Sequence, residues 1–194
     1  NMKKIYLATN NKHKIEEMKA LLSGFDVVSA NDISNVPKTI EDQPTLEGNA
    51  LKKAREAFHT TGMLSLADDT GLEVYYLALK PGVYSARFAG EQATYQDNCA
   101  KLLHELNGVP ARRRNARFRT VVAIVGKNLE EVFEGRVEGD ILESQRGEGG
   151  FGYDPLFVPR GHQKTYAEMT LKEKNSLSHR ALALQKAAEQ LTLL

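Results

Sequence analysis

The sequence predicts an α/β fold, a mixed sheet with flanking helices. Two observations carry that reading. Short apolar runs at Lys4–Thr9, Phe25–Ala30 and Leu64–Ala67 read as strands and alternate with stretches of helical spacing. Ala116–Val125 and Glu131–Glu138 then read as a β-hairpin joined near Gly126-Lys-Asn-Leu129. Alternating strands and helices followed by a hairpin favour a mixed sheet over a purely parallel one.

Taken in order, Lys4-Ile-Tyr-Leu-Ala-Thr9 is a short buried strand and Asn10–Lys14 a polar loop. Ile15, Met18, Leu21 and Leu22 recur at helical spacing. After the strand Phe25–Ala30, the segment from Asn31 to Pro44 is loop-like, with turn formers and two prolines. Thr45 can cap a helix whose apolar stripe is Leu46, Ala50, Ala54 and Phe58, ended by Gly62. Leu64–Ala67 leads into Asp68-Asp69, and Thr70-Gly71 is expected to end that strand. Leu72–Leu77 can form a further strand. Thr94–Leu106 reads as a helix ended by Gly108 and Pro110. Gly147–Asp154 is a glycine-rich loop, Leu156–Val158 a short strand, and the C-terminal segment helical, with Thr170 and Glu173 as a capping box.

The chain has 194 residues, the size of one domain or two small lobes, and can bury a core without disulfides or structural metal. There is no internal repeat, low-complexity tract or linker, so residues 1–194 read as one domain. Asn1, preceding Met2, reads as an expression remnant. Lys and Arg number 26 against 25 Asp and Glu, a balance that argues against a dedicated nucleic-acid binder. Arg112-Arg-Arg114 reads as a solvated surface run. With one cysteine, Cys99, no internal disulfide can form, and the five histidines make no zinc spacing with it. No apolar run approaches the ~18 residues of a membrane helix, and no signal peptide is evident, so a cytoplasmic protein is expected.

Three polar loops stand at strand ends, where ligands gather in such folds: Thr9–Lys14, Asp68–Gly71 and Gly147–Asp154. The first links a strand to a helix, whose N-terminus attracts anions, and Lys12 and Lys14 add positive charge. It lacks the glycines of a Walker loop, and an Asn-capped helix with solvated lysines explains it equally. Lys53 follows Asn49 by one helical turn, so both project from one side of the Thr45 helix. Asp68 and Asp69 would converge at the end of their strand. Converging carboxylates repel unless a cation sits between them, and magnesium needs only one or two carboxylates when phosphates complete its shell. Glu41 could add one more; an Asx-type turn is the plain alternative. In Gly147-Glu-Gly-Gly-Phe-Gly-Tyr-Asp, four glycines allow close backbone approach. Phe151 and Tyr153 offer flat faces and Asp154 an acceptor, the makings of a nucleobase slot. On one straight helix His179 and Arg180 would point about 140° and 240° away from Lys174. The sequence therefore predicts a break between Lys174 and Ser178, with Ser178 capping a fresh helix.

As an ordered set, ATNNKHKIEE, LEGNALKKA, LADDTGLEV, PGVYSARFAG, GGFGYDP and YAEMTLKEKNSLSHRALAL resemble the inosine/xanthosine triphosphate pyrophosphatases, which remove non-standard purine nucleotides. The resemblance covers nearly the whole chain. It implies an elongated α/β fold of two lobes with the active site in the cleft between them, a homodimer, and hydrolysis of ITP, dITP and XTP to the monophosphate and pyrophosphate. It implies that Thr9, Asn10, Asn11, Lys12, His13 and Lys14 bind the triphosphate and that Glu41 and Asp69 hold Mg2+. Asp69 would also be the general base. Lys53 and Thr70 would contact phosphates. Phe151, Gly152, Tyr153, Asp154, Lys174, His179 and Arg180 would surround base and ribose, and Arg87 is a further candidate contact. Asn10 stands where the family commonly has glycine, and Gly48 where it often has glutamate.

The expected chemistry is attack of water on the α-phosphorus with pyrophosphate leaving. Asp68 is expected to join Asp69 at a magnesium ion that also touches the triphosphate. Two other functions remain compatible with the residues: a purine-nucleotide-binding regulator without hydrolysis, and a related pyrophosphatase acting on pyrimidine or modified nucleotides.

Overall fold

The computed structural model describes residues 2–33 and 36–194. Asn1 and the Ser34-Asn35 part of the expected loop lie outside the described residues. In chain order the strands and helices are β1 (Lys4–Leu7), α1 (Lys12–Leu21), β2 (Asp26–Ser29), α2 (Leu46–Thr61), β3 (Ser65–Val74), β4 (Lys80–Pro81), α3 (Tyr95–Glu105), β5 (Asn115–Gly126), β6 (Leu129–Ile141), β7 (Phe157–Pro159), α4 (Leu171–Asn175) and α5 (His179–Thr192). The sheet is mixed. Its hydrogen-bonded order is β2-β1-β3-β5-β6-β7, with β4 on β3; β1 pairs in parallel with β2 and β3, and β7 antiparallel to β6.

The chain divides into two compact units. One comprises the chain up to Asp69, Thr120–Gly135 and Arg180–Leu194. Two strand–helix units build it. Asn11 caps α1, its side-chain oxygen accepting from the amides of His13 and Lys14. Thr45 caps α2 and Gly62 closes it in the left-handed conformation. The core sets Ile5, Leu7 and Leu66 of the strands against Met18 and Leu22 of α1 and against Ala183, Leu184, Ala187 and Leu191 of α5. Fully burying such a branched side chain stabilises by about 1.5–3 kcal/mol.

The second unit comprises Thr70–Arg119 and Arg136–His179. Its separate core joins Leu72 and Val74, the α3 residues Cys99 and Leu102, and Phe118, Phe157 and Tyr166. Arg114 is buried, and its guanidinium donates to the carbonyls of Leu106, Ile141 and Leu142. It thereby ties the end of α3 to the end of β6.

Two expectations need correction and two hold. Thr70-Gly71 does not end β3, which runs unbroken to Val74 and absorbs the first part of the strand expected at Leu72–Leu77; Tyr75–Leu77 is a 3-10 turn. Gly71 is required for another reason: a Cβ there would lie 2.6 Å from the carbonyl oxygen of Gly82. A glycine inside a strand marks a close backbone approach as readily as a turn. The short strand β4 carries no alternating pattern and was not expected from sequence. The expected break near the C-terminus is present: α4 ends at Asn175 and α5 begins at His179, with Ser178 just before it. The Thr170/Glu173 capping box opens α4.

Candidate active site

In the first unit, α1, α2 and β3 gather cations around a buried carboxylate. Asp68 is wholly buried. Its Oδ1 accepts from Lys14 Nζ at 3.3 Å and its Oδ2 from Arg180 Nε at 3.2 Å. Lys53 Nζ donates to the Asp68 carbonyl oxygen and pairs with Glu41 Oε1 at 3.0 Å. Arg180 is buried too, and its Nη1 donates to Glu17 Oε2 at 2.9 Å. Asp69 takes a different partner, Asn49, whose Nδ2 donates to Asp69 Oδ2 at 3.1 Å.

This corrects the expected convergence of Asp68 and Asp69. Within a continuous strand, adjacent side chains leave on opposite faces. Asp68 is the counter-ion of Lys14 and Arg180, and Asp69 lies beside Asn49. Arg180 is buried between two carboxylates, its guanidinium paired with both Asp68 and Glu17.

The two aspartates are tuned in opposite directions. Burial alone would raise the Asp68 carboxyl, but Lys14, Arg180 and Lys53 overcome it and hold the group well below the usual carboxylate range. Burial pushes Asp69 up to about 6; Glu41 pushes the same way, while Lys53, Lys14 and the Asn49 hydrogen bond oppose the rise. For Lys53, burial is outweighed by Asp68, Glu41 and Asp69, and its pKa is raised. Lys14 is lowered, burial being the largest cause.

Glu41 and Asp69 are the carboxylates that could hold a divalent cation. Glu41 raises the Asp69 pKa electrostatically, and a cation relieves such repulsion. Among the described residues no group of three or more His, Cys, Asp or Glu side chains could hold a metal. Two carboxylates suit magnesium where phosphate oxygens and water fill its remaining positions, the usual arrangement for that ion.

The remaining loop residues of this unit are more exposed. Thr9 Oγ1 accepts from the Asn11 amide at 3.1 Å. Asn10, Lys12 and His13 are exposed, with Lys12 and His13 opening α1 rather than lying in a loop.

In the second unit, Lys174 Nζ and Asp154 Oδ2 form a buried ion pair at 2.7 Å. The same oxygen accepts from the Phe151 amide at 3.0 Å, which folds the glycine-rich loop around Asp154. Lys174 Nζ lies 4.7 Å from the centre of the half-buried Phe151 ring. Tyr153 offers no free face. It is buried, and its hydroxyl donates to the Ser85 carbonyl at 2.6 Å. His179 stacks on Phe118, centroids 4.5 Å apart, and lies tilted to Tyr166. Phe151, Gly152, Tyr153, Asp154, Lys174 and His179 thus all belong to this unit, as do Thr70 and Arg87. Arg87 sits over the Tyr84 ring at 5.0 Å and near Glu91.

The Ham1 family model matches residues 5–190. This chain belongs to the Ham1 family. Among the family's relatives, the dITP/XTP pyrophosphatase of Thermoanaerobacter pseudethanolicus is 49% identical over 94% of this chain and 93% of its own length. That of Desulforamulus reducens is 50% identical over 98% and 96%. Among solved structures, a HAM1 protein from Coxiella burnetii superposes with a TM-score of 0.88 at 38% identity, covering all of both chains.

Sequence reasoning missed two participants of this charged cluster. Asn49 was noticed only as sharing a helix side with Lys53. Glu17 went unremarked, because nothing in the sequence separates it from the exposed Glu16 beside it.

Proposed function

We propose that this chain hydrolyses the non-standard purine triphosphates ITP, dITP and XTP to the monophosphate and pyrophosphate. The observation that carries it is Asp69, a carboxyl raised to about 6 beside the buried Lys53 and the half-buried Lys14. The reading is supported by relatives that are named dITP/XTP pyrophosphatase along nearly their whole length. A general base works best with a pKa near the operating pH. A nucleotide sensor would have no use for one.

Water attacks the α-phosphorus and loses its proton to the Asp69 carboxylate. The bond from the α-phosphorus to its bridging oxygen breaks, and pyrophosphate departs with the electron pair. Lys14 and Lys53 bear the charge that builds on the leaving group. Glu41 and Asp69 would hold magnesium, which when bound neutralises phosphate charge. On the base side, Lys174 and His179 suit a 6-oxo purine, and Phe151 supplies a stacking face. Adenine presents an amino donor where inosine and xanthine present an oxygen.

The test is pyrophosphate release from ITP, XTP, GTP and ATP at equal magnesium. ITP and XTP should lead by about a hundredfold over ATP, since two unpaired buried groups cost about 1–3 kcal/mol each. Equal kcat/KM for ITP and ATP overturns the assignment.

A further inference from the structure

We infer that Asn49 is a positioning residue that sets the spacing of Glu41 and Asp69. The inference rests on the metal reading proposed above and adds a residue to it. Asn49 is 1% exposed and lies in the first turn of α2. Its Oδ1 accepts from the Gln43 amide at 2.9 Å, and its Nδ2 donates to Asp69 Oδ2 at 3.1 Å. The orientation of the amide follows from chemistry. A backbone N–H can only donate, so oxygen must face Gln43, and nitrogen is left for the carboxylate. One planar group therefore links β3 to the segment carrying Glu41.

The rest of α2 fastens the same segment. Lys52 Nζ donates to the Ile40 carbonyl and to Asp42 Oδ1, each at 2.8 Å, and Lys53 pairs with Glu41. Gly48 allows the close approach, since a Cβ there would lie 2.9 Å from Gln43 Cβ. Lys52 and Lys53 hold the segment to the helix. Lys53 also reaches β3, at the Asp68 carbonyl, and Asn49 adds a hydrogen bond to the Asp69 carboxylate itself. Neither bond uses Asn49 on substrate, so it acts through Glu41 and Asp69.

The measurement is manganese binding to the whole chain without nucleotide, followed by electron paramagnetic resonance of the free ion. Outer partners of metal ligands are typically worth about 10–100-fold in affinity. Asn49→Ala should weaken manganese by that factor and raise the magnesium concentration needed for half-maximal turnover in parallel. Asn49→Ser, whose hydroxyl can reach one partner but not both, should lose at least about tenfold. It carries the measurement if the alanine variant does not fold. Ala54→Gly in the same helix is the stability control and should leave manganese affinity unchanged. Unchanged affinity in the folded Asn49 variants overturns the inference while the metal reading stands. An equal loss in Ala54→Gly also overturns it, by tracing the effect to general destabilisation. Failure of the wild-type chain to bind manganese overturns the metal reading and the inference together.

Discussion

Replacing Asp69 by asparagine should make the protein more stable and nearly inactive. The Asp69 carboxyl titrates at about 6 in the fold against an ordinary 3.8, a difference of about 2 units. At about 1.36 kcal/mol per unit this is roughly 3 kcal/mol. The side chain is only 8% exposed, so solvent screens little of it. A raised folded pKa means the fold favours the neutral acid. Below about pH 4 both folded and unfolded chains are protonated and there is no penalty. Between about pH 4 and 6 the unfolded chain ionises first, so stability falls as pH rises; above about 6 the full penalty remains. Asparagine carries no charge and still presents an oxygen to Asn49 Nδ2. Lys14 and Lys53 lose a counter-charge, which takes back part of the gain. A net gain of about 1–2 kcal/mol at neutral pH corresponds to about 2–8 °C in Tm for a chain of this size. Loss of the base should lower kcat by about 10²-fold or more. Calorimetry of both proteins at about pH 7.5 and about pH 4 checks the first half, the Tm difference shrinking towards zero at the lower pH. An asparagine variant less stable at neutral pH, or a Tm difference independent of pH, refutes the electrostatic reasoning. Near-wild-type turnover at saturating magnesium refutes the catalytic role.

Lys14→Ala and Lys53→Ala should each raise KM for ITP by about 10–100-fold, the worth of a charge-assisted hydrogen bond. The ratio of ITP to GTP cleavage should stay unchanged, which steady-state kinetics with both nucleotides will show. Lys174→Met leaves Asp154 charged and buried without its partner, and should cost about 3–5 kcal/mol in chemical denaturation. Arg55→Ala, which breaks a half-exposed pair with Glu130, should cost under about 1 kcal/mol in the same assay. Removing divalent cations with EDTA should abolish pyrophosphate release, and added magnesium should restore it.

Some of this was legible along the chain because local rules act locally. Thr45 and Gly62 marked the ends of α2 through the capping needs of a helix. The angular mismatch among Lys174, His179 and Arg180 foretold the gap between α4 and α5, since a helix turns by a fixed amount per residue. Lys127-Asn128 marked the turn between β5 and β6, with Asn128 in the left-handed region that a tight hairpin demands. Thr70-Gly71 misled, because the glycine answers to Gly82, eleven residues on, and no local rule contains that contact.

The sequence by itself determined the mixed α/β class, the main helices and the list of residue types available for phosphate, metal and base. Only the tertiary structure decided how those residues are shared out. It sent Asp68 to Lys14 and Arg180, gave Asp69 to Asn49, paired Arg180 with Glu17 as well and made the Tyr153 hydroxyl a strut on Ser85. The physical reason is that a buried charge or hydroxyl must find a partner. That partner is chosen by distances between segments far apart in the chain, such as Asp68 and Arg180, which local periodicity and capping do not encode.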